Sequence, residues 1–273
     1  MKLKKLMTVA LTTVSALSLV ACGGASKDSS ETSLKDIQEK GKMVVAISPD
    51  YAPFEFKTLV DGKDTIVGAD VEIAKAIGEK LGVEIEFSAM NFDNVLASLA
   101  SGKADMAISG ISPTPERAKS FDFSDVYYNA ANVVVIKKSN LDKYKSADSF
   151  SGQSVGAQKG SVQEPIVTEQ LTGSHLVSLT QVPEMVLELK NGKIEGVVLE
   201  ETIAKGYIEK HDDLAIANVT LKESEDDLGS AIAVPKGNTS LKEAINEVLK
   251  ELKASGKIDT FIQEAYELSL TVE

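Results

Sequence analysis

The chain has 273 residues, a formal net charge of −12 and 26% charged residues. Such an acidic surface is a poor match for nucleic acid and does not favour anionic lipid headgroups. Cys22 is the only cysteine, so no intrachain disulfide can form and the fold depends on its core alone.

The N-terminus has the pattern of an export signal. Three lysines precede an apolar stretch, Leu6–Val20, that is too short to span a bilayer comfortably. The stretch ends in small residues before Cys22, which resembles the lipobox of bacterial lipoproteins. That resemblance implies cleavage after residue 21 and a lipid anchor on Cys22, with a chance cysteine behind an ordinary secretory signal as the alternative.

The segment after Cys22 is polar and rich in small residues. Gly23–Thr32 therefore reads as the main part of a flexible tether over residues 22–32. Removing residues 1–21, which carry three lysines and no acidic residue, leaves 252 residues with a formal net charge of −15. That length suits two compact lobes or one large α/β domain.

Apolar strands alternate with amphipathic helices along the rest of the chain, which predicts a parallel α/β architecture. The predicted strands are Met43–Ile47, Val83–Phe87, Ala104–Ile108, Asn132–Ile136, Ser154–Ala157, Leu176–Leu179, Gly196–Leu199 and Ala231–Pro235. The predicted helices are Asp70–Leu81, Phe92–Ala100, one from about Gln163, Pro183–Lys190, Thr202–Lys210, Leu241–Ala254 and Ile258–Tyr266.

Two stretches have similar patterns. Leu96–Gly110 (LASLASGKADMAISG) and Leu187–Glu201 (LELKNGKIEGVVLEE) each contain a helix end, a Gly-Lys turn, a short apolar strand and a polar loop. Open α/β sheets bind ligands at the carboxyl ends of their strands. We therefore expect the two loops to face each other across a cleft.

The stretch from Ile108 to Tyr128 (ISGISPTPERAKSFDFSDVYY) places an arginine where a helix dipole opposes it. Thr114 is the predicted N-cap of a short helix, and Arg117 lies in its first turn. A surface ion pair of Arg117 with Asp122 or Asp125 is one interpretation. The other is an anion site in which hydroxyl groups, backbone N–H groups and the guanidinium converge on one carboxylate.

An ordered set of motifs resembles the polar amino-acid-binding proteins of bacterial ABC importers. The motifs are ISPDYAPFEF (Ile47–Phe56), VGADVEIAKAI (Val67–Ile77), FDNVLASL (Phe92–Leu99), ISGISPTPER (Ile108–Arg117), FDFSDVYY (Phe121–Tyr128) and AQKGSVQE (Ala157–Glu164). The resemblance implies a type II periplasmic-binding-protein-like α/β fold. Its two lobes are joined by two crossover strands, and the ligand lies in the interlobe cleft.

The same resemblance implies the domain boundaries. The first lobe is expected to comprise residues 33–127 and 229–273, and the second lobe, with the hinge strands, residues 128–228. The crossovers are expected near Tyr128–Ala131 and Ser224–Leu228.

Carried over position by position, the family's ligand contacts begin with the α-carboxylate. Arg117 is expected to grip it, helped by Ser109, Ser112 and the backbone around Gly110. Ser161, which begins a sequence of capping-box form, is expected to contact the carboxylate from the second lobe or to act only as an N-cap.

The α-ammonium is expected to meet Glu200, at a position where aspartate is more usual, or its neighbour Glu201. Either acid is otherwise a solvated residue at a helix start. Gln158 and Gln163 are expected to add amide contacts.

The ligand side chain is expected to lie between Tyr51 and Phe92, although Phe92 also suits a core position. Glu55 is the candidate acid for the far end of this pocket. Ser48 stands where many relatives carry an acid, which removes one negative charge from the expected site.

These expectations describe a lipid-anchored, extracytoplasmic and monomeric binding protein that needs no cofactor. His175 and His211 lie far apart without metal-ligand spacing, and no phosphate loop or catalytic triad is readable. The expected partners are a free amino acid, an ABC permease with its ATPase, and the membrane through Cys22. Arginine is the first choice of ligand, then lysine or ornithine, then glutamine, and a lyase or a surface sensor on the same fold are the rival classes.

Overall fold

The computed structural model describes residues 29–129, 131–222 and 229–272. The helices of this part are α1 (Ser29–Lys40), α2 (Ala69–Leu81), α3 (Phe92–Ala100), α4 (Gln163–Gln170), α5 (Val182–Lys190), α6 (Glu201–Lys210), α7 (Thr239–Ala254) and α8 (Lys257–Leu270). Its strands are β1 (Lys42–Ile47), β2 (Asp50–Tyr51), β3 (Glu55–Val60), β4 (Lys63–Val67), β5 (Glu84–Ala89), β6 (Met106–Ala107), β7 (Phe121–Phe123), β8 (Asn132–Lys137), β9 (Ser154–Gln158), β10 (His175–Leu179), β11 (Gly196–Glu200), β12 (Leu214–Ile216) and β13 (Ala233–Pro235). Short 3₁₀ turns cover Arg117–Lys119, Lys138–Asn140 and Ala147–Phe150. Among these residues no helix is both long and apolar enough to cross a membrane.

The first sheet has the strand order β5-β1-β6-β13-β7. Strands β5, β1 and β6 are parallel, and β13 pairs antiparallel with both β6 and β7. Buried residues of α2 and α7 pack on one side of this sheet, and those of α3 pack on the other. Burial on both faces explains why β1 reads as an almost continuous apolar run.

The second sheet repeats this plan with the order β10-β9-β11-β8-β12. Strands β10, β9 and β11 are parallel, and β8 runs antiparallel between β11 and β12. Helices α5 and α6 contribute to one core cluster and α4 to another. The two stretches with similar sequence patterns therefore belong to different sheets, because one contains β6 and the other contains β11.

A third, smaller sheet of order β2-β3-β4 joins the two halves. Tyr51 of β2 and Phe54, which lies between β2 and β3, share a core cluster with Val182 and Val197 of the second half. Near this cluster Tyr128 pairs with Ser230 in an isolated antiparallel bridge. The predicted first crossover lies at this bridge. The predicted second crossover, Ser224–Leu228, lies outside the described residues.

One prediction for the N-terminal part needs correction, and another concerns residues that the structure does not describe. Helix α1 begins at Ser29, so the last four residues of the predicted tether are helical. Cys22 and the signal segment lie outside the described residues. The C-terminal helix α8, predicted as part of the first lobe, contacts both α2 and α6, so it packs against both halves of the molecule.

Candidate functional site

The site forms where parallel strands of both sheets end. Strands β1 and β6 are neighbours, and the residues after them are joined by a hydrogen bond from the Ser48 backbone N–H to Ser109 Oγ, at 3.0 Å. From the second sheet, β9 ends at Gln158 and β11 ends at Glu200. The carboxyl ends of parallel strands are where open α/β sheets bind ligands.

A small cavity between the two halves collects most of the predicted site residues. It is lined by Tyr51, Phe92, Gly110, Ser112, Arg117, Gln158, Ser161, Val162, Gln163 and Glu200. Gly110 ends the first of the two similar stretches and Glu200 is the residue before the end of the second, so their loops do face each other as expected. The volume of the cavity is only about 10 Å³. That is room for about one water, so the cleft is closed.

Arg117 spans the closed cleft. Its Nη1 donates to Ser112 O at 2.8 Å on its own side, and its Nη2 donates to Gly160 O at 2.9 Å on the other. Burial lowers the pKa of its guanidinium to about 10, and the described residues hold no carboxylate within ion-pair distance of it. Asp122 pairs with Lys236 instead, at 2.9 Å. The predicted surface pair of Arg117 with Asp122 is therefore absent.

The loop around Arg117 has the predicted cap but a shorter helix. Thr114 Oγ1 accepts a hydrogen bond from the Arg117 backbone N–H at 3.2 Å. The turn that follows is three residues of 3₁₀ helix, so little macrodipole opposes the arginine. Gly110 adopts a φ of 54°, and a Cβ there would lie 3.3 Å from the Tyr51 ring, so this position favours glycine.

Phe92 contacts both the cleft and the core. Its ring centroid lies 5.7 Å from Arg117 Cζ, within the range of a cation–π contact. It also packs on the core cluster that contains Val95 and Leu99, so both interpretations of Phe92 hold. Tyr51 lines the same cavity and is nearly buried.

The second half contributes hydroxyl, amide and carboxylate groups. Ser161 Oγ accepts a hydrogen bond from the Gln163 backbone N–H at 3.2 Å. Glu164 accepts from the backbone N–H of Gly160, at 2.8 Å, and not from that of Ser161, so the predicted reciprocal capping box does not form. The Gln163 side chain donates to Asn132 Oδ1 at 2.8 Å.

Of the two candidate acids for the ammonium, the cavity contains Glu200. Glu200 is 4% exposed and ends β11 at the cavity wall. Glu201 faces Lys205 in an i,i+4 ion pair of 2.8 Å on the surface of α6. Of the two acids that the sequence left as alternatives, Glu200 therefore lines the cavity and Glu201 does not.

The structure corrects the prediction for Glu55. This residue is fully buried and lies away from both cleft cavities. Ser109 Oγ donates to Glu55 Oε1 at 2.6 Å, so Ser109 also faces away from the cavity. Burial and the adjacent charge of Asp70 raise the pKa of the Glu55 carboxyl well above its usual value.

Asp70 completes this buried cluster behind the site. It accepts hydrogen bonds from Tyr127 Oη, at 2.8 and 2.9 Å, and from the Gly110 backbone N–H, at 3.1 Å. Burial raises the pKa of Asp70 to about 6. Glu55 Oε2 has no hydrogen-bond partner among the described residues, which favours the protonated, uncharged form of Glu55 beside Asp70.

The sequence analysis missed Asp50. Its carboxylate accepts from Ser48 Oγ at 2.9 Å, and it also accepts across the cleft from Gln158 Nε2 at 3.1 Å and the Val182 backbone N–H at 3.0 Å. It lines, together with Ser48, a second cavity of about 540 Å³ at the cleft mouth. The available signal was an acid two residues from Ser48, where the expected charge is missing.

Neither histidine lies at a candidate metal centre. His175 is exposed, and His211 Nδ1 lies 3.0 Å from Lys190 Nζ. In the described ranges no group of three histidine, cysteine or acidic residues could hold a metal ion.

Comparisons with known proteins agree with this geometry. The sequence model of the family described as bacterial extracellular solute-binding proteins, family 3, matches residues 43–267. The arginine-binding extracellular protein ArtP of Bacillus subtilis (strain 168) is 36% identical over 259 residues, covering 94% of this chain and 96% of ArtP. The L-cystine-binding protein TcyJ of Escherichia coli (strain K12) is 29% identical, covering 99% of this chain and 100% of TcyJ.

A solved structure matches at the level of the fold as well. AbpA, an amino acid ABC transporter substrate-binding protein from Streptococcus pneumoniae Canada MDR_19A, was crystallised bound to L-arginine. It has 49% sequence identity and a TM-score of 0.83, covering 86% of this chain and 99% of the AbpA chain.

Proposed function

The chain belongs to the bacterial extracellular solute-binding proteins of family 3, and we propose that it captures L-arginine and delivers it to an ABC permease driven by its ATPase. One observation carries the proposal: Arg117 and Glu200 line the same small cavity from opposite halves of the molecule. A free α-amino acid has a carboxylate for the first and an ammonium for the second. Burial of both ligand charges requires such matched partners.

The side-chain end of the site favours a cationic, planar group. Tyr51 and Phe92 offer aromatic faces that suit a guanidinium. The arginine-bound AbpA and the arginine-binding ArtP are among the similar proteins, which supports the same choice. Cystine should be tested against arginine because TcyJ is similar to this chain. Glutamine should be tested as well because the lining of the cavity is polar.

Ligand binding requires the two halves to open and close. We propose that residues 33–127 and 229–273 form the first lobe and residues 128–228 the second, with a hinge near the bridge between Tyr128 and Ser230. The closed cavity is too small for an amino acid, so entry requires separation of contacts such as Arg117 to Gly160. Closure around the ligand is a hinge motion that needs no bond-making.

The anchor is a proposal from the sequence alone. Cys22 is expected to carry the lipid that holds the protein on the outer face of the cell membrane. Cys22→Ala is expected to abolish metabolic labelling with palmitate, while arginine binding survives. Normal labelling of the variant would contradict the anchor.

Calorimetric titration tests the ligand directly. Arginine, lysine, ornithine, glutamine and cystine are titrated into the purified protein, and arginine is expected to bind most tightly. Tighter binding of glutamine or cystine would contradict the arginine assignment. Mass spectrometry of the bound amino acid is expected to show it unchanged, and any turnover product would favour the lyase alternative.

A further inference from the structure

Asp50 is a half-buried acid with no cationic partner in the part of the chain that the structure describes. Its hydrogen-bond donors are the hydroxyl of Ser48, the amide of Gln158 and the backbone N–H of Val182. Lys57 and Lys210 line the same cavity, but no ion pair joins either of them to Asp50 among the described residues. Three donors favour the ionised carboxylate, although burial raises the pKa of the Asp50 carboxyl.

The contacts of Gln158 fix the orientation of its side-chain amide. Gln158 Nε2 lies 3.1 Å from Asp50 Oδ2 and 3.3 Å from Thr180 O. Both partners are acceptors only, so the NH₂ group of Gln158 must face them. The carbonyl oxygen of the amide is then the group that Gln158, which lines the small cavity, offers to a ligand.

We propose that Asp50 and Gln158 form the part of the site that recognises a cationic, donor-rich side chain, with Asp50 supplying the charge that Ser48 lacks. This inference rests on the proposed function and names the chemical class of the ligand side chain. The Gln158 carbonyl accepts an N–H from a guanidinium, and the Asp50 carboxylate behind it stabilises the positive charge. Asp50 thus acts as a positioning residue for Gln158 and as a source of negative potential.

The position of Asp50 also couples this recognition to closure. Asp50 lies in β2 of the first half, whereas Gln158 ends β9 and Val182 begins α5 of the second half. A carboxylate at the N-terminus of a helix is favoured by the helix dipole. The amide orientation of Gln158 is therefore fixed by Asp50 only when the two halves are together.

Calorimetry with arginine and citrulline, its neutral isostere, tests the inference on the full chain in detergent. The unmodified protein is expected to bind arginine at least tenfold more tightly than citrulline. In Asp50→Asn, the dissociation constant for arginine is expected to rise about tenfold or more and that for citrulline less than threefold, the range of a hydrogen bond to a charged group. Glu116→Gln, which removes one negative charge from an exposed acid paired with Lys119, is the matched control and is expected to keep the preference.

Gln158→Asn provides a second, independent variant in case Asp50→Asn fails to fold. Its shorter side chain withdraws the carbonyl from the cavity, and the preference for arginine is expected to fall at least threefold. Equal losses of arginine and citrulline in Asp50→Asn, or an unchanged preference in Gln158→Asn, would overturn the inference. Arginine binding by the unmodified protein would still support the proposed function in either case, whereas binding of neither ligand would contradict that function itself.

Discussion

The first half of the molecule contains two neighbouring groups of ionisable residues. The cleft group contains Arg117 and Asp50, and the buried group contains Glu55, Asp70 and Tyr127. In the buried group a serine hydroxyl, a tyrosine hydroxyl and a backbone N–H of the same half donate hydrogen bonds to the carboxyl groups. In the cleft group the charges contact only neutral donors and acceptors, which leaves them free for a charged ligand. The difference separates residues that maintain the fold from residues that bind.

This comparison predicts a separation of effects between the two groups. Variants in the cleft group should change ligand affinity with little change in the free energy of unfolding. Variants in the buried group should change the free energy of unfolding with little change in affinity.

The largest effect is expected for Arg117→Ala. The variant leaves the buried ligand carboxylate without its main partner, so arginine binding should weaken by about 3–5 kcal/mol. Arg117→Lys should restore only part of this, because an ammonium cannot form the two-pronged contact. Lys159→Ala removes another cation at the cleft, in a partly exposed pair with Asp93, and serves as the control with a loss below about 1 kcal/mol. Unchanged calorimetric affinity in Arg117→Ala would contradict the assignment of Arg117 as the partner of the ligand carboxylate.

Asp70→Ala is expected to affect stability instead. It leaves the Tyr127 hydroxyl and the Gly110 N–H without their acceptor, so the free energy of unfolding should fall by about 2–4 kcal/mol. Urea denaturation measures this loss. Arginine affinity at a temperature where the variant is folded should change less than threefold. A larger change would show that the buried group also contributes to ligand binding.

The buried group also predicts a pH dependence. The pKa values of Glu55 and Asp70 are raised in the folded protein, so their contribution to stability is complete below their ordinary values and is lost as pH rises, for Asp70 through about 6. Between pH 4 and pH 7 the unmodified protein should lose about 2–3 kcal/mol of unfolding free energy relative to Asp70→Asn. A difference that stays constant with pH would show that Asp70 titrates normally.

The smallest effect is expected for Glu55→Gln. Glutamine has the shape of the protonated acid, and its side-chain oxygen can accept from Ser109 as Glu55 does. The free energy of unfolding at pH 5 should change by less than about 1 kcal/mol, and arginine affinity should stay within twofold. A selective loss of arginine over citrulline would restore Glu55 to the ligand site.

Helical and strand periodicity predicted most of the fold. The helix Phe92–Ala100 has the predicted bounds, and α2 differs by one residue. The hairpin of β3 and β4 was missed because its strands are half exposed and mix polar with apolar residues. Its signal was the Asp61-Gly62 pair, whose positive φ angles of 51° and 75° suit a two-residue hairpin turn.

The candidate site was predictable only at positions that a sequence motif specifies individually. Arg117, Gly110 and Ser112 follow a strand end in the sequence, and all three line the cavity. Glu55 was misassigned because an acid next to two aromatic residues gives no sign of its burial. Asp50 was missed because its partners Gln158 and Val182 lie more than a hundred residues away and meet it only through closure.

A crystal structure of the protein with L-arginine is the decisive experiment. We expect the α-carboxylate on the Arg117 guanidinium, the α-ammonium on Glu200, and the ligand guanidinium between Tyr51 and Phe92 with an N–H directed at the Gln158 carbonyl. Arginine bound outside this cavity, or bound inside it with its α-carboxylate away from Arg117, would show that Arg117 and Glu200 do not form the amino-acid site.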